Sequence, residues 1–263
     1  MYKKYLIIAS KKDKAGINIT TALSQYGNFD FHLVEGETIY TESLDLWKID
    51  KYDFIIFASK HASEKGGKTL SIHAPGNWKN ADLGGKQGQV CKSSALFQKQ
   101  FFERLHKNVD KYELKDYQIT LECTHHGPLI NKPCMYAEIG STETEWNDRR
   151  AAFIMAKTIA ETIKNFEENP YNEVAIGIGG PHYCPSFNRI QKDSNIALSH
   201  IIPQYSLPLT EEMLKQAITN TEEEVDFAVI DWKGVGKKEQ RDEMIALLDK
   251  MYVQYKRTSD IPK

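Results

Sequence analysis

The sequence predicts an α/β protein, a three-layer α/β/α sandwich around a central mixed, mostly parallel sheet. Along its 263 residues, short apolar runs alternate with segments whose apolar residues recur at helical spacing. The runs lack the polar alternation of a strand with one wet face, which indicates strands covered by helices on both sides. Because no repeat, low-complexity stretch or Pro/Gly/Ser linker is present, we expect one domain, residues 1–263.

Five apolar runs are predicted to form central strands, because each is short and rich in Ile, Val, Leu or Phe. They are residues 5–9, 54–58, 118–122, 174–178 and 227–230. The first run follows Lys3 and Lys4, a pattern that loosely matches the start of a signal peptide. Its roughly six apolar residues are fewer than the hydrophobic region of such a peptide needs, so a buried first strand is the better interpretation.

Helices are predicted between the strands from apolar residues at helical spacing. Four of them cover residues 17–26, 93–106, 149–166 and 238–255. Thr210 is a good N-cap for a fifth. Glu143 and Glu145 are predicted to form the first turn of the helix at Arg149, where acidic side chains suit the helix dipole. The stretch 59–89 is rich in glycine and lysine and is predicted to be a long loop, of the kind that is functional or disordered.

Composition narrows the compartment and the partners. No segment is apolar for long enough to cross a bilayer, so no membrane association is expected. The four cysteines form no Cys-x-x-Cys pair and are expected to be free thiols, with the cytoplasm as the default compartment. The formal net charge of −2 shows no basic excess, so composition alone disfavours a nucleic-acid substrate unless a local patch provides the contact.

Histidines mark the candidate site. Five of the eight lie just beyond a predicted strand end or in the long loop: His61, His73, His125, His126 and His182. Ligands of α/β sheets bind in the crevice beyond the carboxyl ends of the strands, so these five are the candidates for function. The other three, His32, His106 and His200, are assigned structural roles.

The segment ECTHHGP at 122–128 carries the largest share of reactive side chains. Glu, Cys and His are all zinc ligand types, and a catalytic zinc needs about three protein ligands plus water. Adjacent side chains of an extended segment point to opposite sides, so His125 and His126 are expected to differ in role, one binding metal and the other acting as a base or holding substrate. Glu138 precedes a turn and is a candidate ligand or general base.

The loop GIGGPH at 177–182 meets neither nucleotide-binding fingerprint. Its glycines, Gly179 and Gly180, would let the backbone approach a ligand and an N–H stabilise an oxyanion, while Pro181 stiffens the turn that presents His182. The absence of Gly-x-Ser-x-Gly argues against a serine hydrolase. Cys184 is near His182 in sequence, which does not by itself make a catalytic dyad.

Five segments together resemble a known family. They are KHAS at 60–63, LSIHAPGN at 70–77, ECTHHGP at 122–128, EIGST at 138–142 and GIGGPHY at 177–183. In this order and spacing they resemble the D-aminoacyl-tRNA deacylases of archaea and plants, over nearly the whole chain. The resemblance implies a phosphorylase/hydrolase-like α/β/α fold similar to peptidyl-tRNA hydrolases. It also implies zinc-dependent hydrolysis of the ester between a D-amino acid, such as D-tyrosine, and the tRNA 3′ end.

On this hypothesis a zinc-activated water attacks the aminoacyl carbonyl. The predicted zinc ligands are Glu122, His125 and His182. The predicted catalytic residues, which relay protons or stabilise the oxyanion, are His61, His73, His126 and Glu138. The predicted substrate contacts are Lys60, Gly179 and Gly180. The lysines of the long loop that could contact tRNA phosphates are Lys60, Lys65, Lys68, Lys79 and Lys86.

Three alternatives stay open at this point. A His–carboxylate pair could activate water without a metal, as in peptidyl-tRNA hydrolases. The chain could instead be a hydrolase or phosphorylase of a small metabolite, or a tRNA-binding module whose histidines are structural. No obligate protein partner is implied, and no residue type indicates the preference for D over L.

Overall fold

Ten strands and eight α-helices form the described part of the chain. The computed structural model describes residues 2–42, 44, 46–64, 66–168 and 170–262, and of residues 46 and 47 only the backbone. The strands are β1 (Tyr5–Ser10), β2 (Asp30–Val34), β3 (Phe54–Ala62), β4 (Thr69–His73), β5 (Gln118–Leu121), β6 (Cys134–Ser141), β7 (Glu173–Ile178), β8 (Ile196–Ile202), β9 (Phe227–Ile230) and β10 (Tyr255–Arg257). The helices are α1 (Lys14–Leu23), α2 (Leu46–Ile49), α3 (Ala95–Lys111), α4 (Glu143–Trp146), α5 (Arg149–Lys164), α6 (Pro185–Asp193), α7 (Glu211–Thr219) and α8 (Lys238–Lys250).

The strands form two sheets. Six of them lie in the order β2-β1-β3-β6-β4-β5, with only the β4–β6 pair antiparallel, and the other four lie in the order β10-β9-β7-β8, all parallel. The predicted α/β class and the mixed, mostly parallel sheet are confirmed. All five predicted strands are present, but they are divided between the two sheets, where one central sheet was expected.

Side chains of β3 and β6 alternate between two cores, although both faces are buried. Phe54, Ile56 and Ala58 join the main core under α1, α3 and α5. Ile55 and Phe57 join a smaller core, which Leu44, Cys91 and Ile130 cover from connecting segments. Residues two apart in a strand share a face, so the polar end of β3 continues the face of the smaller core. Connecting segments cover much of this face, and the candidate site lies on it.

The four-stranded sheet has helices on both sides. On one side α7 and α8 contribute Met213, Leu214, Met244 and Leu248 to a core with Ile176 and Ile230. On the other side Phe187 and Ile190 of α6 join the main core, which also contains residues of β7, β8 and β9. One core thus contacts both sheets, which supports the prediction of a single domain; that prediction itself stays a prediction.

Two local expectations were wrong. The predicted loop 59–89 contains the end of β3 and all of β4, a strand whose Leu70 and Ile72 are fully buried. The polar residues of these strands interrupt the apolar run from which a buried strand is predicted. The acidic turn is not the start of α5: residues 143–146 form the separate helix α4, and Asp148 caps α5 by accepting from two backbone N–H groups.

Helices α1, α3 and α8 lie within about five residues of their predicted bounds, and Thr210 caps α7 as predicted, whereas α2 and α6 were not predicted. The four cysteines are free and buried. None of the helices within the described residues is both long and apolar enough to span a bilayer.

Candidate active site

Three neighbouring strands place polar side chains on the loop-covered face of the six-stranded sheet. Glu138 of β6 pairs in register with Ser59 of β3 on one side and Ser71 of β4 on the other. His61 and His73 lie two residues beyond these serines, and therefore on the same face as Glu138. The parallel β3 and the antiparallel β4 thus deliver their imidazoles from opposite directions to one carboxylate.

The segment after β5 crosses this face and is fastened on both sides. The N–H of Gly76 donates to the carbonyl of His126 over 2.7 Å, which ties the segment to the end of β4. The N–H of Cys123 donates to the carbonyl of His182 over 3.0 Å, which ties it to the loop after β7. Glu122, His125, His126 and His182 therefore meet the side chains of the sheet.

Glu122 lies at the centre of the cluster, with a fully buried side chain. Its Oε2 accepts from Nε2 of His182 at 2.9 Å and is 3.4 Å from Nε2 of His125, while its Oε1 is 3.2 Å from Nδ1 of His61. Burial by itself would raise the pKa of Glu122. The hydrogen bond from His182 and the neighbouring imidazoles have the larger effect and hold this pKa well below its usual range.

Glu138 is the second buried carboxylate. Its Oε2 is 3.6 Å from Nε2 of His73 and 3.8 Å from Nδ1 of His61, and within the described residues it has no hydrogen-bond partner. Burial raises the pKa of Glu138, opposed by His73. The two carboxyls of the cluster are therefore shifted in opposite directions, which separates their chemical roles.

Three imidazoles have their tautomers set by the backbone. Nδ1 of His73 lies 3.1 Å from the carbonyl of Ala74, Nδ1 of His125 lies 2.8 Å from that of Cys123, and Nδ1 of His126 lies 2.7 Å from that of Gly127. A carbonyl can only accept, so each Nδ1 carries the proton and each neutral ring keeps its lone pair on Nε2.

The three rings converge. One ring nitrogen each of His73, His125 and His126 lies within 4.8 Å of the others. Burial, together with the neighbouring His73, lowers the pKa of His125 well below its usual range and that of His126 to about 3. Neutral imidazoles whose other nitrogen donates to a carbonyl are the usual form of histidine metal ligands.

The Nε2 atoms of His73 and His125 each face a carboxylate oxygen. Nε2 of His73 has no hydrogen-bond partner among the described residues, and it faces an oxygen of Glu138; Nε2 of His125 faces an oxygen of Glu122. An acceptor opposite an acceptor is unfavourable unless a proton or a cation lies between them. The donor set therefore fits a metal ion.

Two further groups could hold a cation: Cys123 with His125 and His182, and His61 with Glu122 and Glu138. Sγ of Cys123 is 2.9 Å from Oη of Tyr205 and 3.5 Å from Nδ1 of His182. Burial opposes the imidazolium of His182, but Cys123 and Glu122 outweigh it and raise the pKa of His182 to about 10.

The cluster opens into a cavity of about 670 Å³. Its walls include Lys60, His61, His125, His126, Glu138 and His182. Sequence reasoning missed Asp13, a buried wall residue that caps α1 and accepts from the N–H of Lys60 at 2.7 Å. An aspartate directly before a helix is the signal that could have identified it.

Seven predicted site residues are brought together by the structure: His61, His73, Glu122, His125, His126, Glu138 and His182. The expectation that His125 and His126 point apart was wrong. Their ring centroids are 4.4 Å apart, and both rings lie against His73. The φ of 45° at His126 is the cause, because it breaks the alternation of an extended segment.

Of the three predicted substrate contacts, the structure places one, Lys60, at the cavity. Lys60 lines the cavity, where its ammonium is 3.3 Å from Oε1 of Glu37. Gly179 and Gly180 have φ of 91° and 79°, but they pack against the segment after β9, and the N–H of Gly179 donates to the carbonyl of Ile202. The structure does not place these two glycines among the walls of the cavity.

The loop lysines also differ from one another. Lys68 is 2.7 Å from Asp116, Lys79 donates to the carbonyl of Leu207, and Lys86 is exposed. Lys65 lies outside the described residues. Thus two of the lysines expected to meet phosphates, Lys60 and Lys68, are held in ion pairs.

Cys123, Tyr183 and Tyr205 complete the cluster and were not among the predicted site residues. Oη of Tyr183 is 2.8 Å from Nε2 of His61. Cys123 and Tyr183 lie inside the two segments that the sequence singled out, so their position beside histidines was the available signal. Tyr205 carries no such signal, because it reaches the cluster from the segment after β8.

Comparisons with known proteins identify the family of this chain. The sequence profile of the D-aminoacyl-tRNA deacylases matches residues 49–256. The D-aminoacyl-tRNA deacylase of Thermococcus onnurineus is 34% identical over 275 residues, covering 95% of this chain and 98% of the relative. That of Methanocaldococcus jannaschii is 33% identical over 246 residues, covering 90% and 93%.

One solved structure is similar throughout. The crystal structure of a conserved protein of unknown function superimposes with a TM-score of 0.89 at 29% identity, covering 99% of this chain and 98% of that one. Fold and sequence are thus similar over nearly the full length. This chain belongs to the D-aminoacyl-tRNA deacylases, a family of ester hydrolases.

Proposed function

We propose that the protein hydrolyses the ester between a D-amino acid, such as D-tyrosine, and the 3′ end of tRNA, with a zinc ion at the histidine cluster. The family supplies the substrate class. The observation that carries the metal is the convergence of His73, His125 and His126, each with Nδ1 bound to a backbone carbonyl, where Nε2 of His73 has no hydrogen-bond partner among the described residues.

His73, His125 and His126 would hold the ion, since three neutral imidazoles are a frequent ligand set of catalytic zinc. The set inferred from the sequence, Glu122, His125 and His182, shares His125 with it and remains the competing assignment. A zinc ion held there would supply Lewis-acid activation of a water molecule near neutral pH.

The chain's own groups would move the protons. Glu138 lines the cavity with an unpartnered oxygen, so it is placed to accept a proton from the attacking water. His61 contacts Tyr183 through Nε2 and Glu122 through Nδ1, so it can return a proton to the leaving ribose oxygen. Lys60 would contact the substrate at the cavity wall, whereas Gly179 and Gly180 would shape the turn that carries His182.

The test follows release of tyrosine from matched D- and L-tyrosyl-tRNA, with zinc content measured in parallel. We expect D-selective release that chelation abolishes and zinc restores. His73→Ala, His125→Ala and His126→Ala should lose bound zinc and at least about 100-fold in kcat. His32→Ala, in the edge strand β2, serves as the matched control and should retain both.

Two outcomes would overturn the assignment. Equal rates for both enantiomers, or release of neither, would remove the proposed reaction. If His182→Ala loses zinc while His73→Ala keeps it, the ligand set is Glu122, His125 and His182.

A metal-free mechanism is the second candidate, and one observation favours it. Nδ1 of His61 is 3.2 Å from Oε1 of Glu122, a His–carboxylate pair that could activate water directly. Activity that survives exhaustive dialysis against a chelator, in protein shown to be free of zinc, would establish this mechanism instead.

A further inference from the structure

The carboxyl edge of the four-stranded sheet holds a second cavity, of about 710 Å³, beside the loop that carries His182. Arg257, Ile230 and Ile178 pair in register across β10, β9 and β7. Strands lie about 4.8 Å apart, so the backbone of Arg257 is roughly 10 Å from the end of β7. In parallel sheets this edge is the usual place for a ligand.

Cationic side chains line this cavity. Arg257, Lys233 and Arg189 are among its walls. The guanidinium of Arg257 lies 3.9 Å from the ring centre of Trp232, which holds it in one orientation before any ligand arrives. The guanidinium of Arg189 donates hydrogen bonds to the backbone carbonyls of Thr258, Ile261 and Pro262. It is therefore part of the floor of the cavity.

The side chains of Lys233 and Arg257 are not held by carboxylates of the described residues, although Asp260 accepts from the backbone N–H of Arg257 over 3.1 Å. Among the residues that the structure describes, neither makes an ion pair within 4.0 Å, in contrast to Lys60 and Lys68. Asp231, the carboxylate in the cavity wall, is 8% exposed and lies against Gly180. A chain with a net charge of −2 therefore concentrates free positive charge beside its active site.

The two cavities are close along the chain. His182 lines the catalytic cavity, and Pro185 and Ser186 line the cationic one. Three residues span at most about 11 Å, which is the reach of a few nucleotides of a single strand. A nucleic acid whose 3′ ester lies among the histidines can thus place its next phosphates against Lys233 and Arg257.

We propose that this cationic cavity binds phosphates of the tRNA substrate near its 3′ end, an inference that rests on the proposed function. The partner is a polynucleotide strand, because two cations without ion pairs among the described residues, one of them stacked on Trp232, suit phosphates and read no base edge. This contact provides the local basic patch that a nucleic-acid substrate requires and that the net charge of −2 does not indicate.

The experiment compares Lys233→Glu/Arg257→Glu with Lys107→Glu/Lys164→Glu. The control pair makes the same charge change at exposed positions of α3 and α5, helices that cover the opposite face of the six-stranded sheet. Binding of deacylated tRNA is measured by anisotropy across salt concentrations. Hydrolysis is measured with D-tyrosyl-tRNA and with 3′-O-(D-tyrosyl)adenosine, which has no phosphate.

We expect the first variant to weaken tRNA binding at least about tenfold and to lower the slope of log K against log salt by about 1.5 to 2. Its kcat/KM for the adenosine ester should stay within about twofold of the wild type, and the control pair should change neither quantity. Lys233→Gln/Arg257→Gln, which removes charge without reversing it, should give a smaller loss in the same direction.

Equal Kd and slope for both charge-reversal pairs would overturn the proposal. It would also fall if Lys79→Glu/Lys86→Glu, on the long loop, reduced the slope while Lys233→Glu/Arg257→Glu did not. Because binding is measured with deacylated tRNA, a failure of the proposed reaction would appear separately, as absence of turnover by the wild type.

Discussion

At the scale of single residues, backbone carbonyls decide the chemistry of the cluster. Each of the three converging histidines donates Nδ1–H to the carbonyl of a residue one or two positions away in the chain. This fixes the tautomer without using another side chain, and it directs every free lone pair to one point. A histidine anchored in this way needs only a fixed local backbone, and the bridge between Pro75 and His125 helps to fix it.

Gly140→Ala is expected to disable the site through His61. A Cβ at Gly140 would lie 2.6 Å from Oγ1 of Thr69 and 2.7 Å from Cδ2 of His61, too close for both side chains to stay in place. We expect kcat to fall roughly 10- to 100-fold from misplacement of His61, and stability to fall by about 1 to 3 kcal/mol. Steady-state kinetics and urea unfolding measure the two effects.

Gly36→Ala is the control for this change. Its Cβ would meet no atom within 4 Å, so both activity and stability should be retained. Wild-type kcat in Gly140→Ala would contradict the role given to the position of His61.

At the scale of elements, the catalytic residues explain why two of the strands, β4 and β6, are hard to predict from the sequence. β4 and β6 carry His73 and Glu138 among buried apolar residues, so neither strand shows a purely apolar run. The five predicted strands were found within a few residues of their predicted bounds, whereas β2, β8 and β10 carry no site residue and were not predicted either. At functional positions a polar side chain is buried because the chemistry requires it. The local sequence pattern, which predicts an exposed position there, then disagrees with the tertiary environment.

Helix α7 illustrates an element that the sequence does specify. Oγ1 of Thr210 accepts from the N–H of Met213 at 3.2 Å, and Met213 and Leu214 then pack on the four-stranded sheet. Thr210→Ala should lower the free energy of unfolding by about 1 kcal/mol, because one N–H of the first turn loses its acceptor. The urea midpoint should fall at unchanged m, and Thr210→Ser should restore most of it. A midpoint equal to the wild type in Thr210→Ala would contradict the cap.

At the scale of the whole molecule, buried histidines away from the site make stability depend on pH. His200 is fully buried between Thr124 and the carbonyl of Asn220. Burial lowers its pKa from 6.5 to about 4, although the carbonyls of Asn220 and Cys91 oppose the shift. The unfolded chain therefore binds this proton at a higher pH than the folded chain does.

Stability should consequently be lost as the pH falls from about 6.5 to about 4, and His200 contributes about 3 kcal/mol of that loss. Above pH 7 its protonation contributes nothing. His200→Asn, which keeps a polar group beside Thr124, should be less stable at pH 7 but show a flatter decline towards pH 4. Urea unfolding between pH 4 and pH 8 measures both, and an identical decline in the variant would contradict the assignment.

The sequence by itself determined the α/β class, five of the strands, most of the helix starts and the segments that carry the chemistry. These features depend on local patterns: apolar runs, helical spacing, caps, and motifs shared with a family. Only the tertiary structure decided that the strands form two sheets, that His125 and His126 face the same centre, and that Gly179 and Gly180 pack away from the cavity. Such features depend on the register of strands distant in sequence and on single backbone angles, such as φ at His126, which local residue patterns do not encode.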